Sequence, residues 1–123
     1  MASILVAEDD RAVGAFVQRA LTHYGHVVTL VADGAAALEV LGNSRFDLLL
    51  TDIAMPVMDG IALALAVGAD YPDLPILMMT GYAAEKQRAH NLDVLIHDVL
   101  PKPFTLQAIV EAVDRALNAR PGD

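Results

Sequence analysis

Two rhythms of apolar residues alternate along the chain. The first is short and almost unbroken: "SILVAE" (3–8), "HVVTLVA" (26–32), "FDLLLT" (46–51), "LPILMMT" (74–80) and "DVLIHDVL" (93–100). Runs of this length, rich in aliphatic and β-branched residues, predict strands. The second rhythm is helical. Over 10–25, Val13, Phe16, Val17, Ala20, Leu21 and Tyr24 recur every three or four residues, with Asp10 placed as an N-cap and Gly25 just past the end. Residues 33–43 read as a short helix from an Asp cap to a Gly stop. Residues 59–72 read as a helix that carries Gly68, and 83–91 as a weak, polar one. Residues 105–119 close the series, with Leu106, Ile109, Val110, Val113 and Leu117 on one face.

Five apolar strands alternating with five helices predict a parallel sheet covered on both faces, hence a doubly wound α/β fold. At this length the flavodoxin-like (βα)5 arrangement is expected, a five-stranded parallel sheet in the order 2-1-3-4-5. The 123 residues are enough for one domain, 1–120, ahead of a short tail at 121–123. No uncharged apolar run reaches the ~20 residues that span a bilayer. The opening "MASILVAEDD" turns acidic and carries no cationic leader, so a cytoplasmic protein is expected. There are no cysteines, which excludes disulfides and thiolate metal sites. The net charge of −8, from 16 acidic and 8 basic residues, argues against nucleic acid or an anionic membrane as partner and leaves room for a cation.

Ligands of such sheets sit outside the carboxyl ends of the strands. There the first strand ends in Glu8, Asp9 and Asp10, the third in Thr51 and Asp52, the fourth in Thr80 and Gly81, and the fifth near Lys102 in "LPKPF". The second strand ends in "VADG" and offers little. With the order 2-1-3-4-5, the polar residues all fall on neighbouring strands. Asp10 is accounted for as a cap. Glu8, Asp9 and Asp52 are different, because three converging carboxylates repel one another unless a cation lies among them. Oxygen-only ligands in an open site suit Mg²⁺. Singly, Thr80 is a strand-end hydroxyl and Lys102 a surface cation. Together they face a carboxylate and metal site in the way a phosphoryl group requires, with charge neutralised by metal and lysine and a hydrogen bond from the threonine. Asp52 is then either a nucleophile or a metal ligand.

"ILVAEDD", "DLLLTDIAMPVMDG", "MMTGYA" and "LPKPF", in this order and spacing, resemble the receiver domain of two-component response regulators over about residues 3–118. The resemblance is to the stand-alone, CheY-like type. It implies that Asp52 is the phospho-accepting aspartate. Asp9 would be a direct Mg²⁺ (or Mn²⁺) ligand, Glu8 would act through water, and Ala54 would offer its backbone carbonyl. Thr80 would be the switch hydroxyl and Lys102 the active-site lysine, joined to Pro103 by a peptide bond that is typically cis in the family. The implied partner is a histidine kinase or histidine phosphotransfer protein. The implied outcome is a protein-binding face, helix 4–strand 5–helix 5, that switches and signals to an output protein in trans. The only catalysis implied is the protein's own phosphorylation and dephosphorylation. A monomer, or a weak dimer through that same face, is expected.

Departures from the family pattern sharpen the reading. Val99 stands where many members carry an aromatic switch residue, and Tyr82, two residues after Thr80, is a candidate substitute. Ala54 has no side chain to orient a water, so slow hydrolysis of the phosphoaspartate is expected. The polar segment 85–98 is expected to form a poorly ordered helix. His23, His26, His90 and His97 are expected on the solvated surface, and Met55, Met58, Met78 and Met79 in ordinary packing. The overall pattern is somewhat similar to receivers of bacterial cell-cycle control that gate proteolysis. A receiver cut from a hybrid histidine kinase is the alternative. A haloacid-dehalogenase-type phosphatase requires a second Asp where Ala54 stands, and a flavin carrier requires a phosphate loop that is absent after the first strand.

Overall fold

Strand residues alternate between two faces, and both faces of this sheet are apolar. A computed structural model describes residues 2–90, 92 and 94–119. Its elements run β1 (Ser3–Ala7), α1 (Arg11–His23), β2 (Val27–Val31), α2 (Gly34–Leu41), β3 (Leu48–Asp52), α3 (Gly60–Asp70), β4 (Ile76–Thr80), α4 (Ala83–His90), β5 (Asp98–Pro101) and α5 (Leu106–Asn118). All pairings are parallel, and the strand order is β2-β1-β3-β4-β5, as the apolar pattern predicts.

One set of alternating residues, Ile4, Val6, Leu48, Leu50, Leu77 and Met79, packs against α1 and α5 through Val17, Leu21, Ile109 and Val113. The other set, Leu5, Ala7, Leu49, Ile76 and Met78, packs against α2, α3 and α4 through Ala37, Leu63, Val67 and Ala89. Burying each large aliphatic side chain in full contributes about 1.5–3 kcal/mol. β1, β3 and β4, the three innermost strands, are therefore the rigid base from which the polar strand ends project. The N-caps are those the sequence indicates: Asp10, Asp33 and Asp59 each accept a backbone N–H from the first turn of their helices.

The fifth strand differs from expectation. Pairing begins at Asp98 rather than Asp93, which itself lies outside the described residues. Leu95 and Ile96 both donate their N–H to the Leu92 carbonyl, at 2.8 and 3.0 Å, so this segment is a turn. Its apolar residues serve as a plug: Ile96 is buried, and Leu95 packs over α3 at Gly68, where a Cβ would lie 2.8 Å from Leu95 Cδ2. Gly68 is thus a close-packing position within the helix. Val94, at the turn's apex, is left 94% exposed.

Smaller corrections follow the same logic of local context. Leu106 is 40% exposed, because the first residue of α5 overhangs the covered face. His26 is half-buried, its Nδ1 accepting the Ala2 N–H at 3.2 Å, whereas His23 and His97 are exposed as expected. The side chain of His90, residue Asn91 at the end of the expected fourth helix, and the expected tail 121–123 lie outside the described residues. Met78 and Met79 are fully buried in β4, while Met55 and Met58 pack at the edge of the second cluster.

Candidate functional site

The carboxyl ends of β1, β3 and β5 bring three carboxylates and one ammonium together. β3 carries Asp52 as its last residue, 6% exposed, directly after the buried run Leu48–Thr51. Glu8 follows β1 and is 3% exposed; its N–H is still held by the Val31 carbonyl at 3.0 Å, which fixes the direction in which the chain leaves the sheet. Asp9 is exposed beside them. One oxygen from each of Glu8, Asp9 and Asp52 lies within 4.8 Å of the others. Lys102 reaches in from beyond β5, with Nζ 2.5 Å from Glu8 Oε1 and 3.1 Å from Asp52 Oδ2. The Lys102–Pro103 peptide bond is cis. Phe104 tilts against Phe16 of α1, ring centroids 6.2 Å apart, and so anchors the loop that carries the lysine.

Asp52 is oriented from both sides. Its Oδ1 accepts the Ile53 N–H at 2.9 Å and its Oδ2 faces Lys102, leaving lone pairs free on each oxygen. The β3–α3 loop behind it is tightly folded. Met58 donates to the Pro56 carbonyl at 2.8 Å around Val57, whose φ of 68° is unusual for a β-branched residue and locally strained. Gly60 N–H donates to Ile53 O at 2.8 Å, which draws the start of α3 against the end of β3. A Cβ on Gly60 would lie 2.1 Å from the Asp52 carbonyl oxygen, so only glycine permits this approach. Ala54, at the mouth of the loop, is exposed.

Burial raises the Glu8 carboxyl to about 7; the hydrogen bonds from Lys102 and the Asp10 N–H oppose that rise, and the Asp52 charge adds to it. For Lys102, burial works to lower the pKa, but hydrogen bonds and charge from Glu8 and Asp52 outweigh it, so its proton is held more tightly than usual. Lys102 is therefore a fixed cation in this site. Glu8 is the group whose charge depends on what else is present.

Thr80 ends β4 and is 2% exposed. Its hydroxyl donates to Glu85 Oε1 at 2.7 Å, with the Tyr82 carbonyl at 3.3 Å, and accepts the Tyr82 N–H at 3.2 Å. Tyr82 itself projects into solvent, 67% exposed. Val99 is buried in β5 opposite Met78. The structure therefore gathers Glu8, Asp9, Asp52 and Lys102 into one cluster and places Thr80 at the neighbouring strand end, bonded to a residue outside every sequence motif. Glu85 has no signal in the sequence beyond its place in the first turn of a polar helix.

The donor set fits a hard divalent cation: carboxylate oxygens only, two of them buried, gathered within a few ångströms. Among the described residues no helix is long and apolar enough to cross a membrane.

A parallel sheet of this order with an acidic cluster and a lysine at its carboxyl edge is a doubly wound α/β domain with its site at the strand ends, and comparison with known proteins gives the family. The chain belongs to the response regulator receiver domain family, whose model matches residues 4–114. It is 39% identical over 117 residues to the response regulator MprA of Mycobacterium ulcerans, covering 95% of this chain and 50% of that protein. The chain thus spans about half the length of the curated relatives it matches. Among solved structures it resembles the chemotaxis response regulator CheY4 of Vibrio cholerae, with 30% identity, a TM-score of 0.86, and coverage of 94% of this chain and 98% of that one. It also resembles the receiver domain of a signal transduction histidine kinase from Syntrophus aciditrophicus, with 25% identity, a TM-score of 0.89, and coverage of 100% and 95%. The chain is accordingly a receiver domain of two-component signalling.

Proposed function

We propose that Asp52 accepts a phosphoryl group from the phosphohistidine of a histidine kinase or histidine phosphotransfer protein. The observation that carries this reading is the setting of Asp52, a nearly buried carboxylate with Lys102 at 3.1 Å on one side and the oxygens of Glu8 and Asp9 on the other. An Asp52 oxygen attacks phosphorus, the P–N bond of the donor breaks, and the imidazole leaves with a proton from solvent. Lys102 neutralises phosphoryl oxygens as they approach, and its hold on Glu8 keeps the ammonium in place. Asp9, Asp52 and the Ala54 carbonyl, with Glu8 behind them, would hold Mg²⁺ or Mn²⁺. When bound, that ion supplies the remaining positive charge for the phosphoryl oxygens. Thr80 then donates its hydroxyl to the phosphoryl group, and the α4–β5–α5 face changes for an output protein that reads it. Tyr82 and Val94, both exposed on segments flanking α4, are apolar surface available to that reader.

Labelling with acetyl phosphate in Mg²⁺, read by intact mass, tests the assignment. The wild-type chain gains one phosphoryl mass, and both Asp52→Asn and added EDTA abolish it. Undiminished labelling of Asp52→Asn overturns the reading.

A further inference from the structure

Thr80 carries a single hydroxyl hydrogen, and in this structure it is committed. Glu85 Oε1 accepts it at 2.7 Å, while the Tyr82 carbonyl at 3.3 Å is the weaker alternative. A hydroxyl cannot donate to Glu85 and to a phosphoryl oxygen at once. Glu85 lies in the first turn of α4. One turn further along, Arg88 pairs with Asp59, the N-cap of α3, at 3.6 Å. Among the described side chains of α4, Ala89 is the buried one. Beside that buried alanine, the polar ties to Thr80 and Asp59 help set the helix against β4 and α3.

We propose that Glu85 is a positioning residue that competes with the phosphoryl group on Asp52 for the Thr80 hydroxyl, and so ties the first turn of α4 to the unphosphorylated state. The inference rests on the reading of Asp52 as acceptor and Thr80 as the donor to its phosphoryl group. When Thr80 turns to the phosphoryl oxygens, Glu85 loses its partner near a group of like charge. The first turn of α4 then has reason to leave β4, while the exposed Arg88–Asp59 pair, worth little by itself, offers weak resistance. The competition also sets how readily the domain activates: the stronger the Glu85 bond, the smaller the net gain when Thr80 reaches the phosphoryl group.

Beryllofluoride with Mg²⁺, titrated by calorimetry and by amide NMR shifts of the intact chain, serves as the phosphoryl probe. Glu85→Ala binds it about ten- to a hundredfold more tightly than wild type, the range expected for removing one competing hydrogen bond to a charged group. Glu85→Gln, which keeps an acceptor but no charge, falls between the two. In a Thr80→Ala background, Glu85→Ala changes the affinity by less than about twofold, since the competed-for hydroxyl is gone. Equal affinity of Glu85→Ala and wild type overturns the proposal. So does Glu85→Gln matching Glu85→Ala, or a full gain in the Thr80→Ala background, because either result means that charge alone is at work. If wild type itself does not bind the probe at Asp52, the functional reading fails and this inference falls with it.

Discussion

Glu8 holds its proton up to about 7 in the folded chain, against 4.5 for an ordinary glutamate, chiefly because burial disfavours the carboxylate. In the unfolded chain the proton leaves near 4.5. Between these values the folded state binds more protons, so raising the pH favours unfolding. The contribution of this group to stability is therefore complete below 4.5, is lost progressively as pH rises to about 7, and changes no further above that. At about 1.4 kcal/mol per pKa unit, the swing amounts to about 3 kcal/mol at most. Glu8→Gln isolates it. Glutamine and protonated glutamic acid both offer Lys102 and the Asp10 N–H one good acceptor between them, so the two proteins are nearly equal in stability at low pH. Above pH 7, in EDTA, the glutamine variant leads by up to about 3 kcal/mol, because the wild type alone carries a second buried carboxylate beside Asp52. Urea unfolding of both proteins at several pH values between 4.5 and 8, with unchanged m-values, gives the difference curve. Adding Mg²⁺ at pH 8 narrows the gap, since only the wild type presents the full acidic set to the ion. A difference curve that is flat, or that runs in the wild type's favour as pH rises, refutes the reasoning.

Two further substitutions probe the frame around Asp52. Gly60→Ala, whose Cβ would sit 2.1 Å from the Asp52 carbonyl oxygen, forces β3 and α3 apart; it lowers stability by about 2–4 kcal/mol and slows acetyl phosphate labelling together, as read by thermal melts and mass. A normal melt with normal labelling would show the approach to be relaxed at no cost. Ala54→Asn adds a polar side chain at the exposed mouth of the site and shortens the phosphoryl lifetime by up to about tenfold, the effect of one well-placed hydrogen bond. The measurement is decay of label after the phosphodonor is removed, and a wild-type half-life of seconds would contradict the slow hydrolysis expected with Ala54.

The strands and caps were legible in the sequence because burial on both faces leaves no ambiguity of pattern. "LLLT" and "ILMMT" must lie inside, and an Asp before a helical run has little else to do. The fifth strand was misplaced for an equally physical reason. Val94, Leu95 and Ile96 look like a strand, but Leu95 finds a better surface over Gly68 than the sheet edge provides, and apolar composition alone does not tell a plug from a strand. Gly60 was readable as a helix start, yet its reason, the Asp52 carbonyl, is a contact between elements. The same holds for Lys102 and Glu8, 94 residues apart. Glu85 was hidden because a polar helix usually marks a solvated face, and its half-buried bond to Thr80 depends on where β4 ends.

The charge balance of the site bears on the proposed roles of Lys102, a divalent ion and Thr80. With Glu8 ionised, three carboxylates against one ammonium leave two negative charges, which a divalent cation neutralises. Without the ion, Glu8 can take up a proton and relieve part of the excess; its pKa is raised chiefly by burial, with a smaller push from the Asp52 charge. Phosphorylation changes the sum again. On the proposed reading, Asp52 would lose its own charge to the new acyl phosphate, and the phosphoryl group would bring about −1.5 to −2, so the site would gain close to one negative charge. Lys102 is already shared between Glu8 and Asp52 and cannot fully absorb it. A further strand-end donor is the Thr80 hydroxyl, which is held by Glu85. On the proposed reading, switching is a contest between two anions for one hydroxyl, and the Thr80–Glu85 bond is what ties the first turn of α4 to its outcome.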